Sequence, residues 1–167
     1  MDLSGWNERH RASAGHLEPE PLVVSSVREL APGRALDLAC GTGRNALWLA
    51  EHGWKVTAVD GSPVAIEMLR QRGENIDARI ADLERGEYMI EPESWELILM
   101  CRYLQRDLFE PSKNGVVPGG VIIAVVRLEG QYRVNPGELA GYFEGFEILH
   151  SRESSMAEIV ARRPARG

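Results

Sequence analysis

The stretch from 35 to 50 constrains the fold of this chain more than any other. A short apolar run containing Asp37 leads into a small-residue loop with Gly41 and Gly43. Apolar residues at helical spacings of three and four follow the loop. Because glycine lacks a Cβ atom and tolerates positive φ, such a loop lets a ligand approach the backbone closely. The stretch therefore predicts a strand, a tight ligand-binding turn and a helix.

The glycine loop taken alone fits two classes of ligand. The segment from Gly41 to Ala46 matches the dinucleotide pattern G-x-G-x-x-G/A, and Asp60 follows at a distance that suits an acid binding ribose hydroxyls. A nicotinamide or flavin nucleotide is one candidate. Asp37 favours another, because a carboxylate ahead of the glycines would repel a pyrophosphate but attract an ammonium or sulfonium group. A further acid, Asp82, ends a later strand-like run.

The run 36–43, Leu-Asp-Leu-Ala-Cys-Gly-Thr-Gly, resembles motif I of class I S-adenosylmethionine-dependent methyltransferases. Ala39 stands where the usual acid-x-Gly-x-Gly-x-Gly pattern has its first glycine. Residues 103–109 resemble a segment of small bacterial methyltransferases related to the tellurite-resistance methyltransferase. The resemblance covers nearly the whole chain. It implies methyl transfer from S-adenosylmethionine to a small-molecule acceptor, with S-adenosylhomocysteine as the second product.

The resemblance also implies which residues bind the cofactor. Asp37 would contact the amino group of the methionyl part, directly or through water, and the glycines would let the backbone approach that part. Asp60 would bind the ribose, in keeping with its place at the carboxyl end of a strand. Asp82 and Leu83 would bind the adenine. The full expected set is Asp37, Ala39, Gly41, Gly43, Arg44, Asn45, Asp60, Gly61, Ser62, Asp82, Leu83 and Cys101.

Four residues are candidates for the acceptor pocket. Trp6 and Arg9 belong to a segment that resembles the element opening many small methyltransferases, and the Arg9 guanidinium could pair with the cofactor's carboxylate. A solvated arm is the alternative for this segment. Tyr103 and Arg106 follow a predicted strand over 95–101, with a core edge and a surface ion pair as their alternatives. No general base is assigned, and an anionic acceptor would require none.

The predicted fold is a single α/β domain over residues 1–167. It is a Rossmann-like, seven-stranded, mostly parallel sheet with helices on both faces and an antiparallel last strand, for which the resemblance implies the strand order 3-2-1-4-5-7-6. Residues 1–20 would form an arm over the cofactor site, and residues 34–163 the core. The last two strands, predicted over 145–151 and 156–163, are joined at hairpin length. This hairpin is the main argument against an all-parallel NAD-binding sheet.

Composition and charge indicate which partners, compartment and bound metals to expect. The net charge of -6 argues against nucleic acid as the main partner. Two cysteines without a visible secretory signal do not form a disulfide framework, so the cytoplasm is the expected compartment. No apolar run approaches about 18 residues, so no membrane span is expected. Histidine and cysteine lack metal-ligand spacing, and no metal is expected. We expect a monomer or a homodimer.

Two other functions remain open at this point. An NAD(P)-binding oxidoreductase would respond to NAD(P)H, and a non-catalytic S-adenosylmethionine-binding protein would bind that cofactor without turnover. The acceptor is also open among thiols, heterocycles, amines, acids and metalloid oxyanions. The short predicted connection over 152–156 argues against tellurite, because the relatives that methylate it carry basic residues in a longer segment there.

Overall fold

The structure is a computed structural model that describes residues 3–12 and 18–166, with side chains described except at positions 3 and 9–12. Its described helices are α1 Leu3–Ala12, α2 Pro21–Val27, α3 Arg44–Glu51, α4 Pro63–Arg72, α5 Phe109–Gly115 and α6 Glu138–Gly141. Its described strands are β1 Arg34–Leu38, β2 Lys55–Asp60, β3 Ile76–Ile80, β4 Trp95–Cys101, β5 Val116–Arg127, β6 Glu147–Glu153 and β7 Met156–Arg162. Short 3-10 helices cover Leu83–Arg85 and Arg106–Leu108.

The seven strands follow the order β3-β2-β1-β4-β5-β7-β6. The pairs β1–β2, β2–β3 and β4–β5 are parallel, whereas β7 runs antiparallel to both β5 and β6. The predicted strand order and the antiparallel last strand are therefore confirmed. The chain divides into two compact units, Met1–Met89 and Ile90–Gly167, which are described separately below.

The first unit is built on β1, whose apolar side chains Ala35, Leu36 and Leu38 are fully buried. Helix α3 packs on β1, β2 and β3, and α4 packs on β2 and β3. Leu49 of α3 and Leu69 of α4 are also fully buried, as the helical spacing of their apolar residues predicts. Full burial of one such leucine stabilises the fold by about 1.5–3 kcal/mol.

The start of α4 follows its local sequence. Ser62 is the N-cap, and its Oγ accepts a hydrogen bond of 3.2 Å from the Ala65 N–H. Pro63 occupies the first helical position, where its missing N–H costs nothing. Both features agree with the sequence prediction. Helix α1 was not expected, because residues 1–20 lack strong periodicity; it packs against α4.

The second unit contains β4 to β7 with α5 and α6. Its core includes Trp95, Phe109 and Phe143, with Phe109 and Phe143 in edge-to-face contact at 5.9 Å between ring centroids. Strand β4 covers 95–101 as predicted. In β5, the register shifts from Trp95↔Val116 to Leu97↔Val121, so the four residues 117–120 bulge.

Three boundaries differ from those that the sequence pattern predicts. Pro-Gly-Gly at 118–120 predicts a turn ahead of a strand, but these residues lie inside β5, because Gly119 and Gly120 exchange backbone hydrogen bonds of 2.9 and 2.8 Å with Arg163. The run 76–83 predicts a strand, but β3 ends at Ile80, and a 3-10 turn begins at Leu83. The connection between β6 and β7 has two residues rather than about four, since β6 pairs with β7 as far as Glu153.

Among the described helices the longest have ten residues, and none combines the length and apolar character that crossing a membrane requires.

Replacing Leu36 by alanine tests the core of the first unit. Leu36 is fully buried, so the variant should lose about 2–5 kcal/mol of unfolding free energy, from lost burial and from the cavity left behind. Ile148→Ala is the control, because Ile148 in β6 is 43% exposed and should cost less than about 1 kcal/mol. Urea denaturation measures both values, and equal losses would contradict this description of the core.

Candidate functional site

The loop between β1 and α3 has three residues with positive φ. They are Ala39 at 56°, Gly41 at 58° and Gly43 at 87°. The Cys40 N–H donates to the Val59 carbonyl at 3.0 Å, and the Gly43 N–H donates to the Cys40 carbonyl at 3.1 Å. Position 39 thus has a backbone conformation that suits the glycine expected there, and alanine adopts it at a cost of about 1–2 kcal/mol.

Gly43 is required for a second reason. A Cβ atom at this position would lie 2.3 Å from Cδ1 of Leu69, whose side chain is fully buried in α4. Leu69 therefore has little space into which it could turn away. The glycine allows the loop to pass directly over α4, and helix α3 begins at the next residue.

Asp60 fixes this loop from the end of β2. Its Oδ2 accepts a hydrogen bond of 2.9 Å from the Gly41 N–H, and its Oδ1 accepts one of 2.8 Å from the Ser62 N–H. A carboxylate offers about four acceptor positions, so the half-buried Asp60 keeps capacity for further donors. Such a carboxylate can receive the two hydroxyl groups of a ribose.

Asp37 is the most unusual group of the site. It is 2% exposed, and its Oδ2 has no hydrogen-bond partner among the described residues. The pKa of this carboxyl group is raised to about 7, chiefly because the group is buried and also because of the negative charge of Asp60, while the positive charge of Arg44 opposes the shift. A buried oxygen without a partner is costly in a folded protein. An ammonium group would satisfy it.

Asp82 follows β3 and is buried, with 8% of its surface exposed. Its Oδ1 accepts a hydrogen bond of 3.0 Å from the Glu84 N–H, and its own N–H donates to Glu87 Oε1 at 2.7 Å. The neighbouring Ala81 N–H donates to the Asp60 carbonyl at 3.0 Å. This last bond joins the chain just before Asp82 and the buried Leu83 to the final residue of β2.

Arg44 and Asn45, both expected to donate toward a cofactor, are engaged by Glu20. Arg44 Nη2 forms an ion pair of 2.7 Å with Glu20 Oε2, and the Glu20 N–H donates to Asn45 Oδ1 at 2.8 Å. The Glu20 side chain is only 5% exposed. Sequence reasoning missed Glu20, since an acid before a proline in a polar segment carries no local signal of such a contact.

The N-terminal helix also reaches this region. Ser62 Oγ donates a hydrogen bond to Asn7 Oδ1 of α1, while Trp6 is half-buried. Arg9 lies in α1, but its side chain is outside the described part of the chain. Ser62 therefore bonds to α1 through its side chain and to Asp60 through its backbone.

The remaining candidates lie in the second unit. Cys101 ends β4 and is half-buried, and Tyr103 is buried with its hydroxyl donating to Gln105 Oε1 at 2.6 Å. Arg106 forms a bidentate ion pair with Glu138, with Nε to Oε2 at 2.6 Å and Nη2 to Oε1 at 3.1 Å. The Arg106 hydrogen bonds lower the pKa of Glu138 to about 2.

Across the described residues, no group of three or more His, Cys, Asp and Glu side chains is arranged to hold a metal ion. The two acids that lie closest to the glycine loop in the chain or by hydrogen bonding have separate environments: Asp60 accepts from two backbone N–H groups, and Asp37 Oδ2 has no hydrogen-bond partner among the described residues.

Strand order and glycine loop together define the class of Rossmann-like methyltransferase domains. The sequence profile of a family described as "Methyltransferase domain" matches residues 35–119, which is just over half of the chain. The chain therefore belongs to this methyltransferase family, which implies S-adenosylmethionine as the cofactor. The buried Asp37 oxygen and the acceptor capacity of Asp60 fit that molecule, which carries an ammonium group and a ribose.

Among curated proteins, the chain is similar to "Probable S-adenosyl-L-methionine-dependent methyltransferase TehB" of Haemophilus influenzae (strain 10810). The two are 36% identical over 79% of this chain and 52% of that protein. The chain thus spans about half the length of this relative. The crystal structure of TehB from Haemophilus influenzae superposes with a TM-score of 0.79 at 23% identity, covering 87% of this chain and 62% of that one.

A second solved structure, an S-adenosylmethionine-dependent methyltransferase from Mesorhizobium loti, superposes with a TM-score of 0.74. It is 18% identical and covers 86% of this chain and 96% of that chain. At these identities, both structures show that the fold is shared. The predicted relationship to class I methyltransferases of the TehB type is confirmed by the family profile and these relatives together.

Gly43→Ala tests the loop geometry. The added Cβ would overlap Leu69 and adopt a left-handed backbone, so we expect a loss of about 2–4 kcal/mol of unfolding free energy. Gly53→Ala is the matched control, because Gly53 has φ 89° but its Cβ would make only ordinary contacts with Pro32 at 3.7 Å. Gly53→Ala should lose only the part of the unfolding free energy that comes from placing alanine in a left-handed backbone conformation. Similar losses in chemical denaturation would refute the close approach at Gly43.

The raised pKa of Asp37 predicts how the unfolding free energy depends on pH. Its pKa is about 7 in the folded protein against an ordinary 3.8, so between these values the folded state holds a proton that the unfolded state has released. Stability should therefore fall as pH rises from about 4 to 7 and then level off. Asp37→Asn should remove this contribution, which is roughly 4 kcal/mol across the window.

The measurement is the difference in unfolding free energy between the wild type and Asp37→Asn at several pH values from 4.5 to 8. Taking the difference cancels the other titrating groups. A difference that does not change with pH would contradict the raised pKa.

Proposed function

We propose that this chain binds S-adenosylmethionine and transfers its methyl group to a small-molecule acceptor. The observation that carries the proposal is the buried Asp37 oxygen, which has no partner among the described residues and lies one loop away from the start of α3. The family to which the chain belongs supports the cofactor, and both TehB and the Mesorhizobium loti protein are named as S-adenosylmethionine-dependent methyltransferases.

Each acid of the first unit has a distinct role in this proposal. Asp37 accepts hydrogen bonds from the ammonium group of the methionyl part. Asp60 accepts from the ribose hydroxyls while its two backbone hydrogen bonds keep the glycine loop in place. Asp82 accepts from the exocyclic amine of adenine, and the buried Leu83 packs on the ring. The other residues of the predicted set come from four places: Ala39, Gly41 and Gly43 from the glycine loop, Arg44 and Asn45 from the first turn of α3, Gly61 and Ser62 from the start of α4, and Cys101 from the end of β4.

The chain's contribution to the reaction is alignment and exclusion of water. When bound, S-adenosylmethionine supplies a methyl group on a positively charged sulfur, which already favours transfer. The protein's part is to hold that group in line with the acceptor and to remove water from between them. We assign no nucleophile, and Cys101 is proposed as a neighbour of the cofactor only.

The acceptor pocket is proposed to involve Trp6, Arg9, Tyr103 and Arg106. Arg106 is already neutralised by Glu138, so a direct charge contact with the acceptor would require it to leave that ion pair. Tyr103 offers a hydroxyl that now donates to Gln105. We propose a small molecule rather than nucleic acid, because the chain carries a net charge of -6.

The broader organisation is proposed on the same basis. We propose that residues 1–167 act as one methyltransferase domain with residues 1–20 as an arm over the cofactor, an arrangement that the Asn7–Ser62 hydrogen bond supports. The cytoplasm is proposed from cysteine usage, since Cys40 and Cys101 are not joined in a disulfide. A monomer or a homodimer is proposed.

Titration with S-adenosylhomocysteine tests the cofactor assignment directly. At 100 times its dissociation constant, a specific ligand should raise the unfolding free energy by about 2.7 kcal/mol, which a thermal-shift assay detects. Asp60→Ala should abolish this shift, because it removes both the ribose acceptor and the anchor of the loop. Asp77→Ala is the control, since Asp77 is half-exposed on β3 and its carboxylate pairs with Arg79.

The result that would overturn the proposal is a shift with NAD(H) and none with S-adenosylhomocysteine, which would favour an oxidoreductase. The antiparallel pairing of β7 with β5 and β6 argues against that outcome. Binding without turnover in a broad acceptor screen would instead favour a non-catalytic binding protein.

A further inference from the structure

Arg44 interacts with two carboxyl groups, and its hydrogen bond goes to Glu20. Its guanidinium forms the 2.7 Å ion pair with Glu20, while its positive charge is close enough to Asp37 to lower the pKa of that group. The Asp37 oxygen Oδ2 nevertheless has no hydrogen-bond partner among the described residues. A guanidinium pairs readily with a buried carboxylate. Something must therefore keep the Arg44 guanidinium on Glu20 while Asp37 Oδ2 has no partner.

Glu20 can do so because it is held in place from two sides. Its side chain is 5% exposed, so its charge would be costly to leave without a cation. Its backbone N–H donates to the buried Asn45 Oδ1 at 2.8 Å, which fixes the start of α2 on the start of α3. Glu20 therefore competes with Asp37 for the Arg44 guanidinium, and it does so from a fixed position.

We propose that Glu20 is a positioning residue for cofactor binding, which holds Arg44 away from Asp37 and so keeps the Asp37 carboxylate available to the ammonium group of the cofactor. This inference rests on the proposed function. It assigns Arg44 a role opposite to the one expected from the sequence: Arg44 does not donate to the cofactor, and its charge must be kept from occupying the site.

Glu20→Gln is the direct test, because glutamine keeps the size of the side chain and removes its charge. Arg44 then turns to Asp37, and the ammonium group must displace it. We expect the affinity for S-adenosylhomocysteine, measured by calorimetry, to fall about tenfold or more. The affinity for 5′-methylthioadenosine should change by less than about twofold, since that ligand has the adenosine and the thioether but no ammonium group.

Two further variants separate this role from simple support of the fold. The double variant Glu20→Gln/Arg44→Gln should recover most of the affinity for S-adenosylhomocysteine, because no cation remains to occupy Asp37. Glu51→Gln is the charge-matched control: it removes one negative charge from an exposed position at the end of α3 and should leave both affinities unchanged.

Arg44→Gln alone keeps the inference testable even if Glu20→Gln does not fold. We expect this variant to bind S-adenosylhomocysteine as tightly as the wild type or more tightly. A loss of affinity would mean that Arg44 donates to the cofactor, and the inference would be overturned.

The other contrary results are equally distinct. If Glu20→Gln weakens both ligands alike, or if the double variant recovers nothing, Glu20 supports only the local structure. If the wild type binds neither ligand, the proposed function itself fails, and the inference fails with it.

Discussion

The carboxylate of Asp60 is the group on which the site depends. Through two hydrogen bonds, to the N–H groups of Gly41 and Ser62, it joins the loop after β1 to the start of α4. The loop needs this support, because three of its residues have positive φ and one of them is an alanine. With the loop held, Gly43 can pass over Leu69, and α3 can begin at Arg44.

Two carboxyl groups near this loop are buried, although burial of a charged group opposes folding. Asp37 is buried without a partner for one oxygen among the described residues, and Glu20 is buried but paired with Arg44. An unsatisfied buried carboxylate opposes folding, and natural proteins retain such groups mainly at functional sites. In the proposed function, the ammonium group of S-adenosylmethionine supplies the cation that Asp37 lacks.

Local patterns predicted most of the fold. The apolar run 95–101 gave β4 with correct bounds, and Ser62-Pro63 marked the start of α4, because both depend on neighbouring residues. The boundaries that failed depend on distant partners. Gly119 and Gly120 are strand residues only because Arg163 bonds to them, and β6 extends to Glu153 only because β7 pairs with it that far. Helix α1 had no periodic pattern to reveal it.

At the site, too, some features follow from neighbouring residues and others from distant partners. The sequence by itself predicted the glycine loop and the places of three acids, because the carboxyl ends of parallel strands meet at one edge: Asp37 lies one residue before the end of β1, Asp60 ends β2, and Asp82 follows β3. Only the tertiary structure decided that Glu20 forms an ion pair with Arg44 and that Ser62 donates a hydrogen bond to Asn7. Those partners are 24 and 55 positions apart, and no local pattern links residues at such distances. Folding alone brings them together.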